Sequence, residues 1–140
     1  MTVLTDWVEA WLHTRQLPRG ITPTGQIVAS LETDDTGTTL REVRCSRTNG
    51  SEPLLVIQIH SADRIAQTRA AQVHAACNQW NVAHRLPRAW VADNDTTLKV
   101  VVETSLPEAA LTEECVRRAG NETIDGAIDF WRWVDLHAEW

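Results

Sequence analysis

An α+β domain with an antiparallel sheet of about five strands and helices packed on it is what three features of this sequence predict. Apolar residues recur at steps of three and four near both ends of the chain, over residues 3–16 and 113–137. Between them run segments that alternate with period two or are continuously apolar, 27–32, 39–47, 54–59 and 88–102. Hairpin-type turn signals separate these runs: Asp34-Asp35-Thr36-Gly37, Asn49-Gly50 and Asp93-Asn94-Asp95. The resulting order is α-β-β-β-α-β-β-α.

In the first helix Leu4, Trp7, Val8 and Trp11 form the apolar face. Asp6 sits in its first turn, where the helix dipole favours an acid, and Pro18 and Gly20 end it. The spacing of Trp7 and Trp11 is that of core packing. Residues 21–25 read as loop. Ile27, Ala29 and Leu31 then alternate with Val28, Ser30 and Glu32, and in the next strand Val43 and Cys45 oppose Arg44 and Ser46. Leu54-Leu55-Val56-Ile57-Gln58-Ile59 is apolar at nearly every position, which predicts a central strand covered on both faces. Ser61 is a candidate N-cap for a second helix with Asp63 in its first turn, running to about Trp80.

The stretch Cys77–Val91, CNQWNVAHRLPRAWV, joins that helix to a strand and is the most distinctive in the chain. Asn78 and Asn81 offer short amides that can bond backbone groups freed at the helix end. Pro87 stops the helix, and Arg88-Ala89-Trp90-Val91-Ala92 reads as a strand. After the 93–95 turn, Leu98, Val100 and Val102 return as its hairpin partner, broken at Pro107. Thr112 is a good N-cap for the last helix, with Glu113 and Glu114 at its positive end.

The combination Asn78, Trp80, Asn81, Pro87, Arg88, Ala89, Trp90, Val91, followed by Leu111-Thr112-Glu113-Glu114 and Phe130-Trp131, resembles the YbjN-type family of bacterial sensory transduction regulators. Trp90 stands where that family usually has Tyr, Ala110 where it often has Gly, and Val116 where it has Leu. The resemblance implies a fold like that of the type III secretion chaperones, with Asn78, Trp80, Asn81, Pro87, Arg88 and Trp90 as structural motif residues. It implies no catalytic residues.

At 140 residues the chain suits one domain, residues 1–140, large enough for a core without metals or disulfides. Cys45, Cys77 and Cys115 lie far apart and are odd in number, as expected of thiols in a reducing cytoplasm. The opening MTVLTDWVEAWLH lacks a basic start, and no apolar run is long enough for a membrane helix, so neither secretion nor membrane insertion is expected. A net charge of −6 argues against nucleic acid as a partner.

The last helix carries two apolar stripes. Ile124, Ala127, Ile128, Trp131, Val134 and Ala138 form one, assigned to the core. Phe130, Trp133, His137 and Trp140 form a second at i, i+3, i+7 and i+10, nearly opposite. Aromatics on both sides of a helix predict two things to cover, so the second stripe is assigned to a dimer or partner surface. The alternative for the same helix is a sandwich between the sheet and the first helix, or a frayed end with stray tryptophans. A pocket lined by Trp80, Trp90, Trp131 and Arg88 would instead suit a small-molecule or lipid sensor.

Catalytic and cofactor motifs are not found. The five histidines (His13, His60, His74, His84, His137) form no metal-binding spacing, and there is no G-x-S-x-G, P-loop or dinucleotide glycine pattern. Arg85 and Arg88 could meet an anion but read first as solvated or paired. The sequence therefore predicts a non-enzymatic, cofactor-free cytoplasmic protein-interaction module, a chaperone-like adaptor or regulator that pairs with itself and with a protein client.

Overall fold

The computed structural model describes residues 3–17, 19–33, 35, 39–61, 64–94 and 96–137. A helix α1 (Val3–Thr14) is followed by strands β1 (Arg19–Ile21), β2 (Ile27–Thr33), β3 (Thr39–Arg47), β4 (Leu54–Ser61) and β5 (Ile65–Ala66). After a 3₁₀ turn come helix α2 (Ala70–Ala83), strands β6 (Arg88–Asn94) and β7 (Thr97–Pro107), a second 3₁₀ turn and helix α3 (Glu113–His137). The fold class is as predicted. Seven strands replace the expected five because β1 runs from the residues read as the end of the first helix into the start of the 21–25 loop, and β5 lies in the stretch read as the start of a helix.

All pairings are antiparallel and run β1-β2-β3-β4-β7-β6, with β5 sharing the β4 edge of β7. The register stacks Ala29, Val43, Ile59, Val102 and Ala89 in one row across five strands. The helices pack on this face: α3 crosses β4 and β7, α1 lies against α3, and α2 lies against β6. Leu12, Val43, Ile57, Val73, Val100, Ile124 and Phe130 are all fully enclosed in this core.

Among the described residues the other face carries no helix, which corrects the reading of 54–59 as a strand covered on both sides. Exposure alternates along β4, with Leu55, Ile57 and Ile59 buried and Leu54, Val56 and Gln58 half-buried. The apolar run at Leu54 and Val56 is the outward half of a one-sided sheet, shielded by neighbouring strands alone.

The second helix also starts later than expected. Ser61 ends β4 rather than capping a helix, because its partner across the sheet is Arg41 and the chain continues into β5. Asp63 lies outside the described residues, as do most of the Asp34–Gly37 turn and Asp95. The last helix starts where predicted: the amide of Cys115 donates to Thr112 Oγ1 at 3.2 Å.

Two glycines let α3 approach its neighbours. A Cβ on Gly120 would overlap the Trp11 indole, and one on Gly126 would overlap Pro87. Trp11 also donates through Nε1 to Asn121 Oδ1 at 2.9 Å. On the sheet side the buried Thr123 hydroxyl sits 2.8 Å from Thr104 Oγ1 and 2.6 Å from the Ala119 carbonyl, so the polar atoms at the α3–β7 contact are satisfied.

Candidate functional site

The α2–β6 connection is held by side chains the sequence singles out. Asn81 Nδ2 donates to the Ala89 carbonyl at 2.9 Å, and the Ala89 amide donates to Asn81 Oδ1 at 2.8 Å. Trp80 Nε1 donates to the Pro87 carbonyl at 3.2 Å, across a cis Leu86–Pro87 bond. These contacts build the segment that leads into β6. Asn78 and Arg88 are exposed, Arg88 opposite Glu103 in register.

The aromatic stripe on α3 needs correcting. Phe130 is 0% exposed and meets Trp80 edge-on at 5.3 Å and Trp131 edge-on at 5.3 Å. It belongs to the core because α2 packs on the flank of α3 that the two-stripe reading left open. Both stripes are thus covered near residue 130, the second by Trp80 of α2 and not by α1, where the sandwich alternative put its second layer. Further along α3 the cover runs out: Trp133 is half-buried, His137 is exposed and stacked on it, and Leu136 beside them is 78% exposed. Trp140 and Ala138 lie outside the described residues.

The proposed Trp-lined pocket also needs correcting. Trp80 and Trp131 are packed into the core on the helix side of the sheet. Trp90 follows the inward-facing Ala89 and therefore faces the other way, 38% exposed on the open face, with Arg88 exposed beside it. The sheet separates the residues that were to share a pocket. Trp131 instead has the Arg41 guanidinium 5.7 Å from its ring centroid, within cation–π range.

Two concavities lie elsewhere. One, of about 250 Å³, is lined by Leu106, Pro107, Ala110, Leu111 and Ala119 together with Cys115, Arg118 and Glu122. Hydrogen bonding to Thr112 lowers the pKa of the Cys115 thiol, and Arg118 adds to the effect. Burial pushes Cys45 and Cys77 the opposite way, to about 12 and about 11. The other concavity, of about 570 Å³, lies on the open face over β1–β3 and includes Ile21, Val28, Ser30, Glu42 and Arg44.

Next to the second concavity is a group of side chains that sequence reasoning passed over. Gln58 Nε2 donates to Glu103 Oε1 at 2.7 Å, which leaves Gln58 Oε1 to accept from His60 Nε2 at 2.8 Å. His60 is only 8% exposed, and its Nδ1 has no hydrogen-bond partner. Burial first, then repulsion from Arg44 and Lys99, takes the His60 pKa down to about 3, so the ring is neutral at pH 7. Lys99, half-buried, has its own pKa lowered by burial and by Arg44 and Arg64, with Glu42 opposing. His60 ends an apolar run and Lys99 is the only lysine of the chain, but nothing in the sequence indicates that strand register brings them together.

Among the described residues no group of three His, Cys, Asp or Glu side chains could hold a metal, and no helix is long and apolar enough to cross a membrane. Curated proteins provide no match. The crystal structure of YbjN from E. coli is similar in fold, with TM-score 0.66, 13% identity, and 95% of this chain and 92% of that one covered. Residues 5–135 match the YbjN family, described as "Putative bacterial sensory transduction regulator", and with nearly the whole chain inside that match the protein belongs to the YbjN family.

Proposed function

We propose that this protein is a non-enzymatic cytoplasmic regulator that works by binding protein, first as a homodimer and then as a chaperone-like adaptor for a client. The observation that carries the reading is the C-terminal end of α3, where exposed Leu136 flanks Trp133 and His137. An exposed leucine next to a half-buried tryptophan is the composition of an interface centre. Phe130 supports this ridge from within the core; the contact surface is Trp133, Leu136 and His137. The family description as a regulator agrees with a binding role.

Sedimentation equilibrium over a wide concentration range tests it. The full chain should sediment as a dimer, and Leu136→Glu should sediment as a folded monomer because a carboxylate cannot be buried there unpaired. A wild-type monomer at every concentration, or an undisturbed Leu136→Glu dimer, would sink the reading.

A second reading, a small-molecule or lipid sensor, is favoured by the cleft of about 250 Å³ with its mostly apolar lining. It replaces the Trp-lined pocket. Fatty-acid titration monitored by a fluorophore on Cys115 separates the two, since a cleft ligand should change emission without changing the oligomer.

A further inference from the structure

Among the described residues, the open face of the sheet holds a buried His60 Nδ1 with no hydrogen-bond partner and, diagonal to it across β4 and β7, Lys99 with no ion pair. His60 Nε2 is engaged by Gln58, two residues back along β4, which leaves Nδ1 as the ring nitrogen outside that contact. In the antiparallel register His60 stands opposite Val101, and Lys99 lies two residues further along β7 on the same face of the sheet. Lys99 has no carboxylate within ion-pair distance among the described residues, whereas Arg44 pairs with Glu42. The hydrogen-bond chain from Glu103 through Gln58 fixes the proton of the neutral imidazole on Nε2, so Nδ1 is an acceptor. A buried acceptor beside an unpaired ammonium asks for a ligand that donates at one point and accepts at another.

We propose that His60, Lys99 and Arg44 form a binding site for a phosphate-type oxyanion that brings its own proton, its P–OH donating to His60 Nδ1 and its P–O⁻ accepting from Lys99 and Arg44. Arg44 has N–H donors to spare beyond those facing Glu42. A metal cation does not fit, because Nδ1 would be its only ligand and Lys99, Arg44 and Arg64 would repel it. A fully ionised carboxylate or sulfate would leave Nδ1 unpaired. Inorganic phosphate keeps a P–OH in both of the forms it takes near neutrality, and a phosphate monoester, whose second ionisation lies at about pH 6, keeps one toward that pH. The charged groups facing the site are Glu42 and Arg44 from β3, Lys99 and Glu103 from β7, Arg64 ahead of β5 and Arg88 from β6. None of them is a group whose ordinary pKa lies near neutrality, so the pH response belongs to the phosphate–His60 pair.

The test is long-range ¹H–¹⁵N imidazole NMR of the full chain titrated with inorganic phosphate, with sulfate at matched ionic strength. Inorganic phosphate should move the His60 Nδ1 resonance saturably, and a simple phosphate monoester should do so more tightly as the pH is lowered toward 6. Sulfate should bind at least ~10-fold more weakly, the penalty of one unpaired buried acceptor. Lys99→Met should abolish the shift, Lys99→Arg should retain it, and Arg132→Gln on the exposed side of α3 should leave it unchanged. No saturable His60 response in the wild type, an equal response to sulfate, or full binding by folded Lys99→Met would each overturn the proposal.

Discussion

Trp11 of α1 lies flat against the backbone of α3 at Gly120, in a space that any side chain there would have to share with the indole. The ring is anchored at its nitrogen by Asn121, so it cannot swing aside cheaply. This contact sets the distance between the two helices.

Gly120→Ala should therefore destabilise the protein by about 1–3 kcal/mol through overpacking, although alanine in an open helix would gain about 1 kcal/mol over glycine. Urea denaturation checks the sign. Adding Trp11→Leu to Gly120→Ala should cost less than the two single changes summed, because the smaller residue makes the room that the new methyl needs.

Asn81→Ala should cost about 2 kcal/mol, since the buried Ala89 amide and carbonyl would both lose their partner. Asn81→Asp should do no better: it keeps the acceptor for the amide but faces the Ala89 carbonyl with negative charge. Amide exchange at Ala89, compared with Val102 opposite it, should report the loss locally before the global stability changes.

This connection is also where the sequence was most legible. Asn81, Trp80 and Pro87 stand out because each bonds or packs within ten residues along the chain, although Asn81 bonds Ala89 of β6 and not the helix-end groups expected of it. The strand pattern of β2, β3, β6 and β7 and the start of α3 were equally readable, since periodicity and capping are local. The missed features are all non-local. The two-residue β5 exists only because β7 is there to pair with it, and no periodicity fits in two residues. Phe130 looked like surface because the α3 pattern alone does not say which neighbour covers its second flank. His60 and Lys99 are 39 positions apart and become neighbours only through the register of β4 on β7.

Thiol labelling should distinguish the three cysteines. Cys115 is exposed with its pKa lowered, while Cys45 and Cys77 are buried with theirs raised. Native protein at pH 7.5 should react quickly at Cys115 alone, and Cys115→Ser should remove the fast phase. Mass mapping of the labelled peptides checks the assignment. Thr112→Ala should slow the reaction, because it removes the hydrogen bond that favours the thiolate.

His60 should make stability depend on pH on the acid side. Its pKa is depressed from 6.5 to about 3 in the folded chain, so the unfolded chain binds the proton first as pH falls. The contribution is intact above pH 6.5 and is lost progressively between 6.5 and 3, at up to about 1.4 kcal/mol per pH unit. Denaturation at pH 7.5, 6 and 5 should show this slope in the wild type and a flatter one in His60→Gln, before the carboxylates begin to titrate.

The Asn81 clamp has one more effect, on solubility. Strand β6 ends the sheet, and at Ala89 its outward N–H and C=O are already engaged by the Asn81 side-chain amide, which takes the place that a neighbouring strand's peptide group would fill. An open strand margin is a template on which other chains can build, and natural proteins block such margins. Here the helix that precedes the strand supplies the block, and at Ala89 the β6 margin offers a neighbouring chain no free peptide group.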